Sequence, residues 1–264
     1  MRVCTYKPNL IYDVGMNNGD DTAYYLHKGY DVIGFEADPK LIGYCTDRFT
    51  DEIDEGRLII IPGAISCEIP DGRGKVPFYI NPHHVWNSCD EGWATRWGST
   101  HTIRVPKIDF LDCLKTYGIP YYMKIDIEGM DWMCLKSLQD EWITYVPQFI
   151  SVELYHSAFG YYMDLLTSLG YHSFNFVQQF KHADDGNWSF NRGSSGRFGR
   201  NMEYEDMNIV RTRYCTDIRP RWLKWKGVND SKVGRPIRMA LERLLNKPLP
   251  GWYDLHGVSN VRKG

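Results

Sequence analysis

The sequence predicts an α/β protein built on a mostly parallel, doubly wound sheet. Three features predict it. Strand-like and helix-like segments alternate from Leu10 to Val177, the order that packs helices on both faces of a parallel sheet. Leu58 to Ile61 is an unbroken apolar run, as expected of a strand covered on both sides. A glycine-bearing turn, Gly15 to Gly19, joins the first strand to the first helix, the place where such folds bring backbone close to a ligand.

Leu10 to Val14 reads as the first strand, Asp20 to Lys28 as the first helix, and Val32 to Phe35 as the second strand, which ends in Glu36. Asp38 followed by Pro39 is an N-cap with proline at the first helical position, and Lys40 to Phe49 continues that helix. After Leu58 to Ile61, the segments Lys75 to Asn81 and Thr100 to Lys107 alternate as strands. Between them runs an aromatic, polar excursion carrying His83, His84, Trp86, Trp93 and Trp97. Helix Asp109 to Tyr117, strand Tyr121 to Asp126, helix Met130 to Leu138, strand Phe149 to Leu154, helix Phe159 to Leu169 and strand His172 to Val177 follow. Lys181 to Met202, rich in Gly, Asn and Ser, reads as a loop or lid. Arg235 to Asn246 reads as an amphipathic helix with Ile237, Leu241, Leu244 and Leu245 on one face.

A chain of 264 residues can bury one sizeable core, and 43% hydrophobic with 24% charged residues is ordinary for a globular protein. The net charge of -2 hides an asymmetry. Residues 219–264 hold eleven Lys/Arg and three Asp/Glu, a net of +8 against -10 for the remainder. A basic segment of this kind meets nucleic acid, an anionic surface or the acidic face of its own domain. The expectation is that it packs on the core. The seven cysteines (Cys4, Cys45, Cys67, Cys89, Cys113, Cys134 and Cys215) include no C-x-x-C pair. With no signal-like apolar start and no apolar run near 18 residues, the expected setting is a reduced, cytoplasmic one with no membrane span.

The strands of such a sheet present their ligands at their carboxyl ends. Asp13, Glu36, Asp126 and Glu153 all fall there, so one cleft is expected to hold them. Glu36 follows Gly15 by 21 residues, where a carboxylate can hold a ribose diol. The spacing decides which nucleotide. D-x-G-x-x-x-G replaces the dinucleotide pattern G-x-G-x-x-G, which argues against a nicotinamide oxidoreductase. A carboxylate at Asp13 would repel a pyrophosphate but suits a ligand carrying an ammonium and a sulfonium. S-adenosylmethionine is such a ligand, and the amides opening the first helix are expected to face it.

D-V-G-M-N-N-G-D-D-T at Asp13 to Thr22, G-F-E-A-D-P at Gly34 to Pro39, M-K-I-D-I-E-G-M-D at Met123 to Asp131 and I-S-V-E-L at Ile150 to Leu154 come in one order. Together they resemble the FkbM family of class I S-adenosylmethionine-dependent methyltransferases. G-S-S-G-R-F-G at Gly193 to Gly199 and W-Y-D-L-H at Trp252 to His256 resemble later family features. The resemblance implies a Rossmann-like fold with a seven-stranded sheet. It divides the chain into a methyltransferase core over residues 1–180, a substrate loop and end of the core over 181–218, and the basic extension over 219–264. It also implies methyl transfer to a hydroxyl of a sugar, glycan or other small molecule, since the family is associated with O-methylation. The cofactor would lie on Asp13, Gly15, Asn17, Gly19, Asp20, Thr22, Glu36, Ala37, Asp38 and Asp126, with its adenine near Ala64 and Ile65. Asp38 is either a cofactor contact or only an N-cap.

A hydroxyl is a poor nucleophile unless its proton leaves, which calls for a base or a metal. Asp126, Glu128 and Glu153 leave three readings open. They hold Mg²⁺, as similar metal-using O-methyltransferases place acids after the same two strands; or Asp126 or Glu128 touches the methionine part of the cofactor or acts as base; or they only pair with Lys124, on the strand face of Asp126. His156 is the first candidate for a neutral general base, and His83 and His84 are weaker ones. Trp86, Trp93 and Trp97 are candidates for an acceptor pocket, and Gly193 to Gly199 for a closing lid. The competing expectations are N-methylation, nucleic-acid methylation and a non-catalytic binding module. No N-P-P-Y motif follows the fourth strand, since Asn81-Pro82 comes too early, so nucleic acid is the weaker expectation.

Overall fold

The computed structural model describes residues 4–95, 98–154, 159–178, 205–206, 253–260 and 262. Its first strand, β1 (Tyr6–Val14), begins earlier than the local pattern indicates, because Tyr6 and Lys7 pair with Ile119 and Pro120 of β6 (Ile119–Ile125) beyond a bulge. Alternation then sends successive residues to opposite faces. Tyr12 and Val14 join one apolar cluster with Phe35, Met123, Ile125 and Ile150, whereas Ile11 joins another with Tyr25, Leu26 and Cys45. The helix α1 (Asp20–His27) covers the second of these faces, the one to which Asp13 points.

The sheet runs β3 (Leu58–Pro62), β2 (Asp31–Glu36), β1, β6, β7 (Phe149–Leu154), β10 (Tyr253–Ser259), β8 (Tyr171–Gln178) and β9 (Glu205–Asp206). From β3 to β7 every pairing is parallel. β10 is antiparallel to both β7 and β8 and lies between them. Seven strands therefore make the mostly parallel sheet, with the two-residue β9 added at its edge. The apolar run of β3 is not covered on both sides. It forms the other edge, and Ile59 is 39% exposed there.

The helices α2 (Pro39–Arg48), α3 (Thr50–Asp54), α5 (Phe110–Tyr117), α6 (Asp131–Ser137) and α7 (Phe159–Ser168) fill the connections. Asp38 caps α2 by accepting from the Lys40 amide at 2.9 Å, and Pro39 occupies the first turn. The segments β4 (Lys75–Ile80) and β5 (His101–Pro106) pair with each other as a separate antiparallel hairpin. A short helix, α4 (Glu91–Ala94), lies in the excursion between them.

Candidate functional site

The order β2, β1, β6, β7 sets Glu36, Asp13, Asp126 and Glu153 at one end of four neighbouring strands. The turn after β1 is held to β6 by shape. Gly15 has φ 84, and a Cβ there would collide with the carbonyl oxygen of Asp126. Gly19 has φ 77, and a Cβ there would press on the Phe49 ring. Both glycines are therefore demanded by packing as well as by the bend.

The amides from Gly15 to Asp20 all find acceptors within the protein. Those of Gly15 and Met16 donate to the Phe35 carbonyl, Gly19 to that of Met16, and Asn17 to Glu36 Oε2 at 2.8 Å. Those of Asn18 and Asp20 donate to side-chain oxygens of Asn17 and Asn18. The side chains close the bend on itself, because short amides hydrogen-bond nearby backbone so readily. Asp20 in turn meets Arg48 at 2.8 Å.

Asp13 is wholly buried and its charge is met from inside. Thr22 Oγ1 donates to its Oδ2 at 2.6 Å, and Lys124 Nζ lies 3.5 Å from its Oδ1. The same ammonium is 3.3 Å from Asp21, 3.8 Å from Asp126 and 3.3 Å from the Gly15 carbonyl. Lys124 and Asp13 are register partners on adjacent parallel strands, so their side chains share a face. Burial opposes the charge of Lys124, but Asp13, Asp21 and Asp126 together hold its pKa well above the ordinary lysine value. Burial likewise raises Asp13, with Lys124 and Thr22 pulling it back.

Glu36 is organised by three backbone amides. Oε1 accepts from Ala37 and Asp38 and Oε2 from Asn17, each at 2.8 Å. Burial raises its pKa and these bonds oppose the shift. A carboxylate has about four acceptor positions. Oε1 is therefore full, and among the described residues Oε2 takes only the one amide. Ala64 and Ile65, just past β3, are buried at 4% and 6% exposure. They are fixed by hydrogen bonds between Ala64 and the Pro106 to Ile108 segment.

After β6 the chain makes a tight turn in which Glu128 has φ 50, a left-handed backbone that non-glycine residues avoid at a cost of about 1–3 kcal/mol. Asp131 shapes it, with Oδ1 accepting from Ile127 and Oδ2 from Gly129. The turn brings one carboxylate oxygen each of Asp126, Glu128 and Glu153 within 4.8 Å of one another. Burial, and then the charges of Asp126 and Glu128, raise the pKa of Glu153 well above the carboxylate range. Sequence reasoning missed a further acid. Asp254 of β10 lies directly across from Glu153, is 3% exposed and adds to the charge acting on Glu153. It belongs to the W-Y-D-L-H block, the signal that pointed to it.

Trp93 of α4 stacks so closely on Gly129 that a Cβ there would collide with the indole, which puts an aromatic ring beside Glu128. Trp86 meets His83 edge-on at 5.0 Å. Trp97, His156, Gly193 to Gly199 and Arg235 to Asn246 lie outside the described residues.

The model of the methyltransferase FkbM domain matches residues 13–173, a span that holds the turn, Glu36 and the three clustered acids. The chain belongs to the FkbM methyltransferase family. It is an S-adenosylmethionine-dependent methyltransferase. None of the curated proteins matches this FkbM chain. Among solved structures it is similar to the precorrin-6y C5,15-methyltransferase of Geobacter metallireducens GS-15, with 12% identity, TM-score 0.36, and 67% of this chain and 72% of that one covered. A SAM-dependent methyltransferase from Archaeoglobus fulgidus is also 12% identical, with TM-score 0.35 and 96% and 87% covered. These likenesses are too loose to bear on the substrate of the FkbM protein. No helix among its described residues is long and apolar enough to cross a membrane.

Proposed function

We propose that this FkbM protein moves the methyl group of S-adenosylmethionine to a hydroxyl of a sugar, glycan or other small molecule. The packing of Gly15 on the Asp126 carbonyl carries the reading. It sets the bend beside Glu36 directly against the residue that opens the acid cluster, so donor and acceptor centres share one wall.

In this reading the donor lies along the turn from Asp13 to Thr22 and the segment from Glu36 to Asp38. Glu36 Oε2 takes a ribose hydroxyl, with Ala64 and Ile65 near the adenine. Asp13, Thr22 and Asp20 act as internal supports of the turn. Holding donor carbon and acceptor oxygen in line is the main task, and well-oriented systems gain roughly 7–11 kcal/mol this way.

Asp126, Glu128 and Glu153 are the centre that activates the acceptor. Three carboxylate oxygens within 4.8 Å form a hard, all-oxygen donor set that suits Mg²⁺. When bound there, Mg²⁺ supplies Lewis-acid polarisation of an oxygen and a lower pKa for its proton. A second reading is favoured by the raised pKa of Glu153. A carboxylate whose pKa is raised is the stronger base once its own proton has left, so Glu153 in its charged form, or His156 three residues on, takes the hydroxyl proton directly. Trp93 and Trp86 offer aromatic faces for an acceptor. The odd cysteine count continues to favour a reducing, cytoplasmic setting.

Isotope-labelled donor offered to hydroxyl, amine and RNA acceptors, with and without chelator, tests all of this. Label on a hydroxyl supports the reading, and chelator sensitivity selects the metal form. Label only on nitrogen or RNA, or donor binding without turnover for any acceptor, overturns it.

A further inference from the structure

Two adjacent side chains in the loop after β4 reach the two halves of the site. Asn87 Nδ2 donates to Asp38 Oδ2 at 3.1 Å, and Ser88 Oγ donates to the Glu128 carbonyl at 2.7 Å. Their hydrogen-bond directions are fixed by what else they hold. Asn87 Oδ1 accepts from the Asn81 amide at 2.8 Å, which orients its NH₂ toward Asp38. Ser88 Oγ accepts from the Asp90 amide at 2.9 Å, which leaves its one proton for Glu128.

The loop itself is anchored. Ser88 and Tyr79 exchange both backbone hydrogen bonds, Asn81 Nδ2 donates to the Ala94 carbonyl at 2.7 Å, and Asp90 caps α4 at the Trp93 amide. Ser88 is only 1% exposed. What each contact holds is unequal in kind. Asp38 supplies one of the amides that fill Glu36 Oε1, so Asn87 acts on the ribose carboxylate through Asp38. Glu128 sits in its left-handed conformation between Asp131, which takes the Ile127 and Gly129 amides, and Ser88, which takes the carbonyl.

We propose that Asn87 and Ser88 are positioning residues for methyl transfer, Asn87 setting the donor half through Asp38 and Ser88 setting the acid centre through Glu128. The proposal rests on the donor and acid-centre assignments made above. It makes the loop a spacer that keeps donor and acceptor centres in register, where a misplacement of about 1 Å costs on the order of a hundredfold in rate.

Calorimetric titration with S-adenosylhomocysteine and crystal structures of Asn87→Ala and Ser88→Ala test it. Asn87→Ala is expected to weaken S-adenosylhomocysteine about fivefold or more, the equivalent of one lost hydrogen bond. Ser88→Ala is expected to bind it within about twofold of the wild type, while Glu128 leaves its left-handed conformation and its carboxylate moves about 1 Å or more from Asp126 and Glu153. Wild-type affinity in Asn87→Ala, or an unmoved Glu128 in Ser88→Ala, overturns the proposal even if both variants melt at lower temperature. Failure of the wild-type protein itself to bind S-adenosylhomocysteine overturns the donor assignment, and this proposal with it.

Discussion

Lys124 Nζ stands 3.5 Å from Asp13 Oδ1, an ion pair whose carboxylate has no exposed surface. Removing one partner of a buried pair leaves the other charge uncompensated, which costs about 3–5 kcal/mol. Lys124→Met is therefore expected to lower unfolding free energy by that order in urea titrations. Asp21→Asn removes only one of three carboxylates around the same ammonium and is expected to cost distinctly less.

Glu36→Gln tests the ribose assignment. Three backbone donors converge on the carboxylate, and an amide must turn its own NH₂ against at least one of them. Hydrogen bonds to a charged group contribute about 1.5–3 kcal/mol. S-adenosylhomocysteine affinity is expected to fall roughly 10- to 100-fold by calorimetry.

Gly15→Ala is expected to abolish donor binding and to lower stability. The left-handed backbone alone costs about 1–2 kcal/mol, and the new methyl meets the Asp126 carbonyl. Gly29→Ala shares a positive φ of 87 but nothing lies near its Cβ. It is expected to show the backbone cost without the loss of binding, which separates strain from collision in parallel melting and titration runs.

Asp131 carries a pH signature. Burial raises its pKa from the ordinary 3.8 to about 6. Between those values the folded protein keeps a proton that the unfolded chain has lost, so this group's stabilisation is complete below about pH 4 and disappears as pH rises through 6. The stability of the wild type minus that of Asp131→Asn is expected to fall across that window in denaturant titrations at stepped pH. A difference that rises with pH contradicts the assignment.

The order of strands and helices was legible because each element carries its own period, as in the cap at Asp38 and the apolar β7. Grouping Asp126, Glu128 and Glu153 needed only strand ends and the rule about carboxyl edges. What could not be read depends on which strands are neighbours. The exposed edge at Ile59 follows from the position of β3, not from its residues. The ion pair of Asp13 with Lys124 requires β1 to lie beside β6 in one register. Asp254 comes opposite Glu153 only because β10 runs antiparallel between β7 and β8. The partners of the Gly15 turn amides depend on neighbours as well: Phe35 and Glu36 of β2 take those of Gly15, Met16 and Asn17, and only those of Asn18 and Asp20 end on the nearby side chains of Asn17 and Asn18.

That inserted strand also closes two sheet edges at once. Until Tyr253 to Ser259 arrives, β7 and β8 have no shared neighbour and each keeps an open row of backbone donors and acceptors, the kind of edge that recruits other chains. A polypeptide lacking this segment is thus expected to expose two unpaired strand rows that Tyr253 to Ser259 covers together.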